Sequence, residues 1–232
     1  MYVLKRFLLL LFIGFGLSSC NSTYHYHLPM PETSIYHEKG EVHASGHIGV
    51  SGLALGGGYA LTDNFALGGR FQSTAWLARG YMIEADANYY HNGWFMVSAG
   101  LGYGHVRRYT DSTQNNISLR GDLYRPYVQV VLQTRERIFF RQLHARQTIG
   151  IKSSYIWYDG ASGFPQVNRF QDGRFVFEPV ISATQGLDLI QLELAVSVPL
   201  YRGVFEDISA PDRAYPFPIN VSAGLQIRIF NP

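Results

Sequence analysis

Glu84-x-Asp86 is the pairing in this chain that chemistry could most readily use. In an extended strand, residues two apart share a face and stand about 7 Å from one another, from a rise near 3.3 Å per residue. Two carboxylates so placed suit acid–base work such as glycoside hydrolysis. They equally suit charge balance against Arg70 or Arg125 in an enclosed space. His43 and His47 also share a face, but four residues of strand hold them about 13 Å apart, too far to chelate one ion. His25-x-His27 offers a weak metal pair or plain decoration of a polar segment. Ser112, Ser118, Ser162 and Ser209 fall in loops that hold no histidine; the nearest, His105, ends a strand and has outward parity. GxSxG, P-loop and zinc spacings are absent from the sequence. The residue pattern therefore points away from an enzyme, and a membrane-embedded hydrolase ranks third among the readings.

The elements that must carry these residues are strands. Tyr81, Ile83, Ala85, Ala87 and Tyr89 alternate with Met82, Glu84, Asp86, Asn88 and Tyr90. The same period of two runs through Ile190 to Leu200 and Val221 to Ile229, with Glu193 and Arg228 on the polar faces. Ten such runs are expected, at about 41–50, 53–61, 65–75, 81–91, 93–106, 120–134, 144–158, 174–184, 188–200 and 219–230. Thr62-Asp63-Asn64, His91-Asn92-Gly93 and Gln185-Gly186-Leu187 read as tight turns. Segments 107–119, 159–173 and 201–218 are longer and polar or rich in Pro and Gly. Short turns alternating with long loops mark an antiparallel up-and-down transmembrane β-barrel of about ten strands, or eight if the glycine-rich start folds differently. A soluble sandwich or lipocalin-like barrel would alternate too, with the faces reversed.

Three features favour the membrane. Several runs reach the length of a tilted spanning strand. Aromatic residues gather near run ends: Trp76 with Tyr81, Tyr89 and Tyr90 with Trp94, Tyr155 with Trp157, Phe175 with Phe177. The polar face carries both signs of charge: Arg70, Arg125, Lys152 and Arg228 against Glu84, Asp86, Glu178 and Glu193. Inside a narrow barrel these must pair, because an isolated buried charge is costly. The expected arrangement is a network across the lumen. Small residues at Gly49, Ala54, Gly56, Gly58, Ala60, Gly68, Gly100, Gly102 and Gly104 suggest one thin wall facing a charged one. Long side chains fill the space, or a gap remains for water, a small ligand or the N-terminal segment.

Lys5 and Arg6 followed by apolar Phe7 to Leu17 form a signal peptide over 1–19. Leu17-Ser18-Ser19-Cys20 resembles the lipobox of bacterial lipoproteins, which implies cleavage before Cys20 and a covalent lipid on it; the alternative is an ordinary secretory signal. Cys20 is the single cysteine, so the sequence offers no disulfide. Losing Lys5 and Arg6 from 19 basic residues leaves 17 against 17 acids, a neutral balance that gives no basic face for nucleic acid. Residues 20–40 lack either period and read as a periplasmic tether, ahead of a barrel over 41–232. In 134–146, Arg135, Arg137 and Arg141 surround Phe139 and Phe140. That segment is either a turn reaching lipid headgroups or a partner-docking surface.

The stretch Tyr36-His37-Glu38-Lys39-Gly40-Glu41-Val42, then His47 to Gly52 and Tyr59 to Asn64, resembles the opening of uncharacterised lipidated outer-membrane barrels of the Bacteroidota type, over about residues 36–75. The resemblance implies an outer-membrane address and no particular activity. An even strand count places both termini on the short-turn, periplasmic side. The expected role is a structural or accessory subunit of an envelope complex, with lipid and a membrane-complex protein as partners and no cofactor beyond the lipid. The alternative is a narrow porin-like channel for small solutes.

Overall fold

Backbone polar groups in a membrane must all be satisfied within the protein, and a sheet achieves this only by closing on itself. The computed structural model describes residues 28–74, 79–110, 117–134, 137–139, 143–162, 168–187, 189–201 and 219–229. Its strands are β1 Val42–Gly49, β2 Gly52–Ala60, β3 Phe65–Thr74, β4 Arg79–His91, β5 Phe95–Thr110, β6 Ile117–Gln133, β7 Arg137–Phe139, β8 Leu143–Ser162, β9 Asn168–Gly186, β10 Ile190–Ser197, β11 Leu200–Tyr201 and β12 Asn220–Ile229. Neighbours pair antiparallel in chain order through β6, β8, β9, β10 and β12, and β12 returns to β1. Val42 opposes Ile229, and Gly49 opposes Ser222, which closes the ring. β7 and β11 are short continuations: β7 pairs with Leu143–Ala145 and β11 with Val176–Phe177. The fold is therefore a closed ten-stranded antiparallel barrel, as the alternation predicts.

One of the expected runs is interrupted, and another is followed by a short extension. The run 188–200 breaks at Val198-Pro199, because proline has no N–H for the ladder, and resumes at Leu200. The run ending at Thr134 resumes at Arg137 as a hairpin extension. Two of the three tight turns, at 62–64 and 91–93, appear where the sequence places them; the third is shifted, since Gln185 and Gly186 still pair within β9 and the reversal runs from Leu187 to Ile190. Asn92 and Gly93 both take positive φ (48° and 64°), the conformation that primed hairpin turns demand. The chain joins β2 to β3, β4 to β5 and β9 to β10 at one end, called here the turn end; β12 finishes there and β1 begins there. The opposite end, with the connections 111–116, 163–167 and 202–219, is the loop end.

The faces answer what alternation alone leaves open. Ile83, Leu101, Ile181, Leu192 and Leu225 point outward and are exposed, while Glu84, Arg125, Lys152, Glu178 and Glu193 point inward and are buried. Apolar residues outside and charge inside is the arrangement of a barrel whose solvent is lipid. Aromatic side chains border this band on the outer face. Tyr59, Phe65, Tyr89 and Trp94 mark the turn end, and Phe65 meets Tyr89 edge-on at 5.4 Å. Toward the loop end Tyr103 packs on Tyr124, and Tyr155 on Phe175 at 4.9 Å. Trp76 lies outside the described residues.

Residues 28–36, expected as part of a periplasmic tether, are instead inside the barrel. Leu28 and Ile35 are fully buried, and Met30, Thr33 and Tyr36 nearly so. Ile35 and Tyr36 pack with Ala60, Ala66, Tyr90, Met96 and Val131 on the inner wall, and Met30 packs with Val180 and Ala195. The physical reason is that the inner wall presents these apolar side chains among its polar ones, and burial of Leu28, Met30 and Ile35 against them removes apolar surface from water.

Candidate functional site

The lumen is built from inward positions of alternating strands and from the segment 28–41 that fills it. Six of the eight charged residues singled out in the sequence meet in one cluster. Lys152 Nζ lies 2.7 Å from Glu84 Oε2, and Arg125 Nη1 lies 3.2 Å from Glu84 Oε1. Arg125 also pairs with Glu178, which stands directly opposite Lys152 in the β8–β9 register. Arg70 lies 3.4 Å from Asp86 and 3.8 Å from Glu84. Neutral groups fix the geometry. Tyr127 donates its hydroxyl to Asp86 at 2.7 Å and offers its ring face to Lys152 at 3.7 Å, and Arg125 donates to Ser154 at 3.1 Å. Arg125, Lys152, Glu84 and Glu178 have no side-chain exposure, so each charge depends on its partners.

Glycines assemble this cluster rather than lining a separate wall. In register, Glu84 opposes Gly102 of β5, and Gly102 in turn opposes Arg125 of β6. A Cβ at Gly102 would lie 3.3 Å from both Glu84 and Arg125. The missing side chain lets acid and base meet over an intervening strand. The expected thin wall facing a charged wall is thus corrected: small and charged residues are interleaved on β3 through β9, and much of the network runs between near neighbours. Elsewhere the small residues receive side chains. A Cβ at Gly58 would collide with the Tyr36 hydroxyl, one at Gly224 with the His47 ring, and one at Gly68 with Asp86.

Glu193 and Arg228 stand apart from the cluster. Glu193 accepts from Thr33 and Gln226, and His47 Nε2 lies 3.1 Å from it. Arg228 lies 3.1 Å from Glu41 and donates to His43 at 3.0 Å and to the Ile35 carbonyl at 2.6 Å. Glu41 also pairs with His43 and accepts from the His37 N–H at 2.6 Å. Burial pushes the Glu41 carboxyl up, but the hydrogen bonds from His37 and His43 and the positive charge of Arg228 outweigh it and hold the group well below the usual carboxylate range. His43 and His47 therefore serve two different carboxylates, in keeping with their separation along β1. Among the described residues no group of His, Cys, Asp and Glu is arranged to hold a metal ion.

The segment 28–36 is held chiefly through its main chain. The carbonyls of Leu28, Met30, Glu32 and Ile35 accept from Asn220, Arg70, Gln129 and Arg228. The Glu32 side chain adds a contact at 3.9 Å to Arg70. Glu32 and Glu41 are lumen residues that the sequence reading passes over: Glu32 lies in the stretch without period, and Glu41 stands at the very start of the first run. The signal for Glu32 was compositional: an acid among apolar residues and prolines, ahead of a barrel with uneven lumen volume.

The remaining expected residues fall elsewhere. His105 lies 2.9 Å from Asp122, with the Tyr103 hydroxyl 3.1 Å from the same oxygen, on the half-exposed outer face near the loop end. Arg137 and Phe139 belong to β7, beyond the turn-end limit of β6. Arg135, Phe140 and Arg141, like Cys20 and the signal segment, lie outside the described residues.

No protein-family model matches the chain, and no curated protein matches it. Among solved structures, the KdgM porin in complex with disordered oligogalacturonate is similar at 11% identity with a TM-score of 0.33, over 82% of this chain and 99% of that one.

Proposed function

We propose that the protein is an outer-membrane β-barrel lipoprotein whose lumen is closed at rest, and that it serves the envelope as a structural or accessory subunit rather than as an open pore. The observation that carries this reading is the occupied lumen: residues 28–36 run through it, and a charge cluster with no solvent exposure lies beside them. The apolar exterior with its two aromatic borders supports the membrane address. The lipid on Cys20 follows from the lipobox, and the turn-end extension around Arg137 and Phe139 is the surface offered to a partner.

A second reading is a gated narrow channel. It is favoured by the way the segment is attached: residues 28–36 lie in no strand, so their withdrawal leaves every ladder of the barrel intact. Planar-bilayer recording of the full chain beside a chain lacking residues 28–36 separates the two. The closed reading expects no steady current from the full chain. Current only from the shortened chain favours the gated channel, and large stable steps from the full chain defeat the closed reading.

A further inference from the structure

We propose that the polypeptide threads its own barrel, so that the chain preceding Leu28 emerges at the loop end, on the opposite face from the end of β12. The anchor points along β12 give the direction. Asn220, the first residue of β12, holds the carbonyl of Leu28. Glu193, which opposes Gly224 in the middle of β12, holds Thr33. Arg228, near the end of β12, holds the carbonyl of Ile35. As the strand descends from 220 to 228, the inner segment descends from 28 to 35.

The lengths agree with an extended passage. Eight residues of strand cover about 26 Å, and seven residues of extended chain about 23 Å, at roughly 3.3 Å each. A segment folded back on itself could not keep pace with the wall in this way. At the turn end the passage is completed by backbone pairing: Gly40 N–H donates to the Ala60 carbonyl, and Ala60 N–H donates to the Glu41 carbonyl, each at 2.9 Å. β1 then starts upward from Val42. The chain thus crosses the barrel once inside the wall before it begins the wall.

The even strand count fixes only where β1 begins and β12 ends. A threaded segment adds one further crossing, so the two termini part company. If Cys20 carries a lipid, the seven residues between it and Leu28 place that lipid at the loop face, not in the leaflet beneath the turns. The lumen is suited to such a passage because its donors take main-chain carbonyls, and Gly58 and Gly224 leave room for Tyr36 and His47.

Three chains, each with one cysteine added to the natural Cys20, test this in cells: Ser22→Cys before the threaded segment, Ser209→Cys in the 202–218 connection, and a cysteine appended after Pro232. Each is labelled with a membrane-impermeant maleimide before and after the outer membrane is permeabilised, with the unaltered chain giving the background of Cys20. Threading expects Ser22→Cys to label together with Ser209→Cys and opposite to the appended cysteine. Labelling of Ser22→Cys together with the appended cysteine overturns it. The comparison is internal, so a loop end that turns out to face the periplasm would correct the membrane orientation and leave the threading result readable. An epitope inserted between Thr23 and Tyr24, read by antibody in the same two conditions, repeats the test in a chain with no added thiol; its appearance on the face of the C-terminus would equally overturn the proposal.

Discussion

Lys152 and Glu84 meet at 2.7 Å inside the barrel although 68 residues separate them in the chain, and neither side chain touches solvent. Arg125 binds the same carboxylate from the next wall position and Arg70 stands 3.8 Å from it, so one acid serves three bases while Glu178 serves Arg125 from the other side. Removing one member of a buried ion pair leaves its partner uncompensated, which costs about 3–5 kcal/mol. Arg125→Ala is therefore expected to lower stability by that order in detergent or lipid unfolding titrations. Arg125→Ala combined with Glu178→Leu should recover part of the loss, and a double change as costly as the sum of its parts would show that the pair is not coupled.

The outer face gives a prediction with the opposite chemistry. Leu225 is half exposed to the surroundings and opposes Leu192 of β10 and Gly46 of β1 in register. An arginine near mid-membrane costs roughly 2–4 kcal/mol. Leu225→Arg and Val196→Arg should each destabilise the barrel by that order in lipid vesicles. Gly58→Val, on the inner face, should also destabilise, by about 1–3 kcal/mol for overpacking, because its side chain meets Tyr36. An unchanged midpoint for Gly58→Val would mean that Tyr36 does not lie against β2.

Glu41 ties the entry of the threaded segment to pH. Its carboxyl is held below the ordinary range by His37, His43 and Arg228 despite burial. A depressed value means that the unfolded chain takes up the proton first as pH falls below about 4.3, the ordinary glutamate value. The stabilisation is thus fully present above that pH and is lost progressively in stronger acid. Unfolding midpoints measured between neutral and strongly acidic pH should fall more steeply for the natural chain than for Glu41→Gln, and parallel profiles would contradict the assignment.

Strand positions, two of the three tight turns and the two faces of each strand were legible in the sequence because they depend on a period of two and on local turn chemistry. Partner choice was not. Whether Glu84 meets Lys152 or Arg228 depends on strand order and register around a closed ring, and residues such as Gly102 decide it by lacking a side chain. The threaded segment was illegible for another reason. Leu28 to Tyr36 carries no period, since main-chain carbonyls bound by wall side chains impose none on the sequence. The uneven glycine lining was its trace, visible as a gap for which water, a small ligand and the N-terminal segment were equal candidates.

Cys20 supplies a chemical prediction. The mature chain should begin at Cys20 and carry the added mass of acyl groups, and Cys20→Ala should abolish both the lipid and the normal membrane sorting. Intact-mass spectrometry of protein extracted from its own membrane decides this, and an unmodified mature cysteine would contradict it.

The most direct test of the occupied lumen joins the segment to the wall. Met30 packs against the inward Ala195 of β10, whereas Leu194 beside it points outward. In a Cys20→Ala background, Met30→Cys is combined either with Ala195→Cys or with Leu194→Cys, and the folded barrel is treated with a short thiol crosslinker. The account predicts an intramolecular link for the pair with Ala195→Cys and none for the pair with Leu194→Cys. Equal crosslinking of both pairs, or of neither, would contradict a lumen filled by residues 28–36.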